Sequence, residues 1–346
     1  MTLEQVTADL IPQIDAELQE LTRSPHHSLG AYYGMFHYHL GWVDETLAPV
    51  GTVGGKRLRP LLCLLSCQAL EGDLYQALPA ACAIELVHNF SLVHDDIQDG
   101  SRTRRGRRAV WAIWGMNQGI NVGDGLFALA HLALHRLSGR GVPPRRQQAV
   151  SLALDQACLA LCEGQFFDMA FEGRLDVDLD QYLWMIRRKT AALLATATQV
   201  GAILATDDAH TIGRWSQFGE HLGVAFQIQD DILGTWGDEQ VTGKSAASDI
   251  RDRKKTLPIV YALNQSEQRR AARQLSDLYT RPAPLDEAAI QAVLDILHDV
   301  GARQKAEELA LHYYRLATEH LEETGLDAAA QANLRQLASS LLGRQS

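Results

Sequence analysis

The sequence predicts an all-α protein, a single large helical bundle of ten or more helices forming one domain over residues 1–346. Three observations predict it. Apolar residues recur at three- and four-residue spacing almost everywhere, while clear two-residue alternation is scarce. Breakers fall between the periodic segments, at Gly51–Gly55, Gly72, Gly139–Pro144, Asp207–Asp208 and Arg281–Pro284, and none is long enough for a flexible linker. Hydrophobic residues make up 46% of the 346, ample for a large core, and no repeat or low-complexity tract divides the chain.

The elements follow in order. The opening MTLEQVTADLIPQIDAELQE is amphipathic and acidic, unlike a signal peptide. No apolar run approaches the ~20 residues of a membrane span, so a cytoplasmic, non-membrane-spanning protein is expected. LRPLLCLLSCQAL (58–70), ACAIELVHNFSLVHDD (81–96), NVGDGLFALAHLALHRL (121–137) and AVSLALDQACLALCEGQF (149–166) all read as helices. Stretches such as ACAIELV are apolar over more than a narrow stripe, which predicts central helices buried on most sides. Cys63 and Cys67, and Cys158 and Cys162, sit four apart in apolar segments without any C-x-x-C. That pattern predicts buried free thiols in a reducing compartment rather than zinc. A formal net charge of −10 argues against a nucleic-acid partner.

Against that acidic background, HDDIQDGSRTRRGRR (94–108) sets three aspartates beside five arginines. If the helix over 81–96 continues to Asp99, Asp95 and Asp99 share one face, with Asp96 turned partly aside. Like charges at that spacing destabilise a helix, so a compensating cation is expected. Oxygen ligands from a few carboxylates plus substrate phosphates suit Mg²⁺. A second apolar helix, within FGEHLGVAFQIQDDILGTWGDEQVTGK (218–244), runs into Asp230 and Asp231, with Gln227 on the face of Asp230. Two such clusters predict metal ions bridged through a polyphosphate.

Basic groups accompany them: Lys56, Arg57 and Arg59; Arg102 to Arg108; Arg187, Arg188 and Lys189; and Lys244 with Arg251, Arg253, Lys254 and Lys255. Arginine grips phosphate bidentately and lysine acts as a point charge. Acids on metal and bases on oxygen then hold diphosphate together, and a second diphosphate can sit wholly on bases.

GGKRLRP (54–60), the DDxxD of Asp95–Asp99, RRG (104–106), GQ (164–165), KT (189–190), FQIQDD (226–231) and GK with a later KK (243–255) together resemble the trans-isoprenyl diphosphate synthase (polyprenyl synthetase) family, most of all its geranylgeranyl diphosphate synthases. The resemblance implies an all-α bundle around a deep apolar cavity, a homodimer, two or three Mg²⁺ ions, and condensation of isopentenyl diphosphate with an allylic prenyl diphosphate. It implies Mg²⁺ ligands Asp95, Asp99, Asp230 and Asp231, with Asp96 in support. Lys56, Arg59, His88 and Arg105 would hold isopentenyl diphosphate. Arg104, Lys189, Lys244 and Lys254 would hold the allylic diphosphate, with Thr190 and Gln227 beside the cation formed from it.

The second motif departs from the family's usual DDxxD: it reads DDILG, with Gly234 in the third acidic position. Either Asp230 and Asp231 suffice, or Asp238 supplements them. Upstream of the first motif, Ser91 lies one turn before Asp95, and Phe90 about 7.5 Å down the axis at ~1.5 Å per residue. Small at the fourth position and aromatic at the fifth resembles the C20 type, with C15 and C25 as alternatives. A class I terpene cyclase and a non-catalytic partner subunit are the competing readings.

Overall fold

The computed structural model describes residues 2–51, 55–237, 247–265, 269–282, 284–326 and 328–343. The expectation of ten or more helices holds, and the fold is all-α. In chain order the principal helices are α1 (Leu3–Leu21), α2 (Gly30–Leu40), α3 (Leu58–Ala69), α4 (Leu74–Gln98), α5 (Val110–Trp114), α6 (Met116–Gly139), α7 (Pro144–Glu172), α8 (Leu179–Ile186), α9 (Ala192–Ala205) and α10 (Ala209–Trp236). Further helices follow, among them Ser248–Arg251, Leu257–Leu263 and Ala302–Glu322. No described helix is long and apolar enough to cross a membrane.

Two compact units make up the chain. The first comprises Met1–Cys158, Thr196–Ser216 and Leu326–Leu334; the second comprises Leu159–Ala195, Gln217–Gly325 and Arg335–Ser346.

Within the first unit, α1 starts on a capping box in which Thr2 and Gln5 satisfy each other's backbone N–H groups. Asp73 caps α4 by accepting from Tyr75 N at 2.9 Å. α4 is packed against α3 and α6 and buries Ala80, Ala81, Cys82, Ala83, Ile84 and Leu86 in succession. That all-round burial is what ACAIELV predicted. All five cysteines are outside any disulfide; Cys63, Cys67, Cys82 and Cys158 are buried and Cys162 is exposed. Its apolar neighbours in sequence predicted burial; one helical turn beyond Cys158 it falls on the solvent side.

The sequence did not predict strands, yet Thr103–Arg104 (β1) and Arg107–Arg108 (β2) pair antiparallel. The turn between them holds Arg105 at φ 53° and Gly106 at φ 73°. Left-handed conformation at both central residues is the tight hairpin turn that matches strand twist. Two-residue strands are too short to carry an alternation signal.

The second unit has two apolar clusters. One gathers Phe171, Tyr182, Ile186, Ile228, Ile232 and Val260; the other gathers Ile250, Ile259, Leu275, Val293 and Leu297. Between α8 and α9 the helix loosens into a π-turn, Arg187–Ala191. It is pinched from two sides. A β-carbon on Gly164 of α7 would lie 2.2 Å from Lys189 N, and one on Gly223 of α10 would lie 2.5 Å from Ala191 Cα. The glycine of the GQ motif therefore admits the backbone of the KT motif, and an extra residue per turn in a helix commonly marks a functional position.

Candidate active site

In the first unit, α4 delivers its aspartates at its C-terminus. Asp99 caps the helix, its N–H donating to the Asp95 carbonyl at 2.9 Å. Asp95 and Asp99 thus lie one turn apart, part-buried and exposed respectively. Asp96 is 1% exposed, more deeply buried than its partly sideways position suggested. The β-hairpin brings Arg104 back over this end. Its Nε donates to Asp96 Oδ1 at 2.8 Å and its Nη2 to Asp95 Oδ2 at 3.0 Å. The neighbouring acid and base in the sequence do pair here: Arg104, expected on the allylic diphosphate, bridges Asp95 and Asp96. Burial works against its charge, but Asp96 and Asp95 more than offset that and raise its pKa. Burial also pushes the Asp96 carboxyl up to about 6, with the Arg104 charge opposing. Its second oxygen is buried without a hydrogen-bond partner among the described residues.

The residues expected on isopentenyl diphosphate belong to the same unit. Lys56 is exposed just before α3. Arg57, which the sequence grouped with it, serves the fold: it is 2% exposed, donates Nε to Asp15 Oδ1 at 2.9 Å and donates Nη1 to Glu85 Oε1 at 3.0 Å. A guanidinium buried in this way orients the segment between Lys56 and Arg59. Burial lowers Arg59 to about 10, against the pull of Glu85. Burial, then the charges of Arg59 and Arg105, hold His88 well below its ordinary pKa, so its ring is neutral at physiological pH. His39 on α2 is a residue the sequence reading missed. Burial and the guanidinium of Arg105, followed by Arg104, Arg107 and Arg57, push it down to about 3. With Tyr38, Arg104, Arg105, Arg107 and Arg108 it lines a small basic pocket.

The second unit holds the other set. Asp230 is exposed near the end of α10, while Asp231 is 5% exposed and points into the fold. Asp231 accepts from the Tyr182 hydroxyl, from Leu257 N at 2.7 Å and from Gln227 Nε2 at 3.0 Å. Burial nevertheless pushes its carboxyl up to about 7, opposed by those three donors and assisted by the charge of Asp249. Asp231, expected as a Mg²⁺ ligand, is thus buried, and both of its oxygens accept hydrogen bonds from within this unit. Thr190, in the π-turn, donates to Gln227 Oε1 at 2.7 Å, so Thr190, Gln227 and Asp231 form one directed chain. Lys189 Nζ donates to Asp168 Oδ2 at 2.5 Å. Asp168 was also missed: it lies inside α7 between Phe167 and Met169, and nothing in its sequence neighbourhood sets it apart. Lys254 is exposed, whereas Lys255 is buried and donates to the Glu172 carbonyl at 2.9 Å. Lys244, Asp238, Gly54 and Gly243 lie outside the described residues.

Among the described residues no group of three or more His, Cys, Asp or Glu converges to hold an ion unaided. That is compatible with Mg²⁺, which is held by one or two carboxylates and completed by water and substrate phosphate. Asp95 and Asp99 on one helix face and exposed Asp230 are hard oxygen donors of that kind, so the residues fit the ion.

The polyprenyl synthetase family matches residues 41–297 of this chain. The chain is 38% identical over 311 residues to the (2E,6E)-farnesyl diphosphate synthase of Mycobacterium tuberculosis, covering 89% of this chain and 85% of that protein. It is also 38% identical over 308 residues to that organism's geranylgeranyl diphosphate synthase, covering 89% and 84%. Its fold is similar to the crystal structure of geranylgeranyl pyrophosphate synthetase from Pyrococcus horikoshii, with a TM-score of 0.87 and 33% identity over 99% and 98% of the two chains. This chain therefore belongs to the polyprenyl synthetase family and is a prenyltransferase.

Proposed function

We propose that the protein joins isopentenyl diphosphate head-to-tail to an allylic diphosphate and releases chiefly the C20 product, geranylgeranyl diphosphate. Lys56, Arg59 and Arg105 supply the charge that holds isopentenyl diphosphate, and neutral His88 adds a hydrogen bond. Lys189, with Lys244 and Lys254, holds the allylic diphosphate; Arg104 joins them only by giving up a contact to Asp95 or Asp96. Asp95, Asp99 and Asp230 would hold magnesium, which supplies positive charge to the departing diphosphate. As the allylic C–O bond breaks, the isopentenyl alkene attacks the allylic carbon, and the proton lost from the isopentenyl unit passes to the released diphosphate. Thr190 has spent its hydroxyl hydrogen on Gln227, so its oxygen offers only lone pairs to its surroundings, which suits a neighbouring carbocation. Binding both substrates side by side replaces a bimolecular encounter with an aligned one.

One observation carries the C20 reading. Phe90 lies five residues before Asp95 on α4, and its ring packs edge-on against Phe127 at 5.1 Å and His94 at 5.4 Å. Ser91, between Phe90 and the motif, is small and turns its hydroxyl back to the His88 carbonyl at 2.8 Å. A prenyl tail growing down from Asp95 would pass Ser91 and stop at the aromatic pair. The farnesyl and geranylgeranyl relatives are equally similar to this chain, so product length is the property to measure. Phe90→Ala is expected to lengthen the product and Ser91→Phe to shorten it towards C15, by mass spectrometry of dephosphorylated products. An active Phe90→Ala enzyme with an unchanged product would remove the mechanism for C20. Omitting isopentenyl diphosphate separates the remaining alternative, since a cyclase would still release hydrocarbon. We also propose a homodimer, supported by the large apolar side chains Met116, Ile120 and Leu132 that α6 leaves exposed.

A further inference from the structure

The second aspartate motif ends on Gly234, four residues and one turn beyond Asp230, where the first motif has Asp99 four residues beyond Asp95. The space beside Gly234 is filled. A β-carbon built there would lie 1.9 Å from Oδ2 of Asp249 and 2.6 Å from its Cγ. The Asp249 carboxyl group therefore occupies the volume that a side chain at 234 would take. Its backbone is held in place. Asp249 belongs to the short helix Ser248–Arg251, entered through Ala247 at φ 55°, and its neighbour Ile250 is 0% exposed in the second apolar cluster. The Asp249 carbonyl also accepts from Lys254 N at 2.8 Å, fixing the turn that presents Lys254. The same carboxylate acts on its surroundings. Its charge reaches Asp231 and the buried Tyr279 hydroxyl, which has no hydrogen-bond partner among the described residues.

We infer that Asp249 supplies the third carboxylate of the second aspartate motif, entering from a separate helix in place of the side chain that Gly234 lacks, and that glycine at 234 is what leaves it room. This rests on the reading of that motif as a magnesium–diphosphate site. Asp249 would then join Asp230 in the site, while Asp231 accepts three hydrogen bonds inside the fold. The sequence alone offered Asp238 for this place; Asp249 is eleven residues further on and is found only through the packing at Gly234.

The test uses the full-length protein and two readouts: the rise in melting temperature on adding Mg²⁺ with inorganic diphosphate, and the Mg²⁺ concentration giving half-maximal turnover. Asp249→Asn keeps the shape of the side chain and removes its charge. It is expected to lose most of the Mg²⁺-dependent rise and to need at least ~10-fold more Mg²⁺, a change of about 1.4 kcal/mol. Asp249→Ala should do the same, and Gly234→Asp added to Asp249→Ala should recover both readouts, because the two positions are alternatives for one carboxylate. A wild-type Mg²⁺ response in Asp249→Asn overturns the assignment, as does a double variant no better than Asp249→Ala. Asp230→Asn, run alongside, separates the two levels. If it loses the response while Asp249→Asn keeps it, only the role of Asp249 fails. If both keep it, the magnesium reading of the motif fails with it.

Discussion

The two aspartate pairs divide their labour in the same way but are anchored by different chemistry. In each pair the first residue stays accessible, Asp95 or Asp230, and the second is buried, Asp96 or Asp231. Asp96 is held by a charge, the forked guanidinium of Arg104, whereas Asp231 is held by neutral donors from Tyr182, Gln227 and the Leu257 backbone. An ionic anchor whose arginine is part-exposed is weakened by salt and by substrate phosphate, which competes for the same guanidinium. A neutral anchor is indifferent to both. The first end of the machinery can therefore respond to what binds there, and the second is fixed in advance.

The largest effect should come from the accessible members, where the two regions ought to behave alike. Asp95→Asn and Asp230→Asn are each expected to lower turnover at least ~10²-fold with the fold intact, since removing one group that stabilises developing charge costs ~2.7–4 kcal/mol. Near-normal turnover of both at saturating Mg²⁺ would refute their common role. The anchors should then part company. Arg104→Ala leaves Asp96 buried without its cation and is expected to cost about 3–5 kcal/mol of stability at low salt, and less at high salt. Tyr182→Phe removes one of three donors to Asp231 and should cost about 1–2 kcal/mol at either salt. Denaturant midpoints at two ionic strengths decide this, and equal salt sensitivity would erase the distinction. The smallest effect concerns protons. Burial first, and then the arginines of the basic pocket, hold His39 neutral in the first region, with a folded pKa of about 3 against an ordinary 6.5. A depressed pKa contributes stability that is present above pH 6.5 and lost as pH falls towards 3. Relative to His39→Gln, wild type should lose about 1–2 kcal/mol between pH 7 and pH 5; a constant gap between the two would show that His39 takes up a proton freely in the fold.

How much of this could be read in advance depended on the kind of force involved. Helices announce themselves through local periodicity, so the run into Asp99 and the buried ACAIELV segment were legible. The aspartates and bases were legible as types, because few chemistries need acids and bases together on apolar helices. Partner choice was not. Arg57 and Arg59 look alike in GGKRLRP, yet one is spent on Asp15 and Glu85, residues 42 and 28 positions away in sequence. Asp96 and Asp231 look like their neighbours, and only the packing shows that they face inward. Asp168 and Asp249 went unnoticed for the same reason: each takes its meaning from a distant backbone, the π-turn for one and Gly234 for the other.

Arg105 sits at φ 53° in the hairpin turn, a conformation that asparagine or glycine adopts more cheaply, and its backbone carries strain of about 1–2 kcal/mol. Selection for heat tolerance alone should therefore favour replacing it, and the same replacement would remove a cation proposed to hold isopentenyl diphosphate. A library screened only for survival at high temperature would drift towards Arg105→Asn or Arg105→Gly and accumulate sturdy enzymes with poor affinity for that substrate. At this one position durability and catalysis pull the sequence in opposite directions, so arginine there is a record of which of them prevailed.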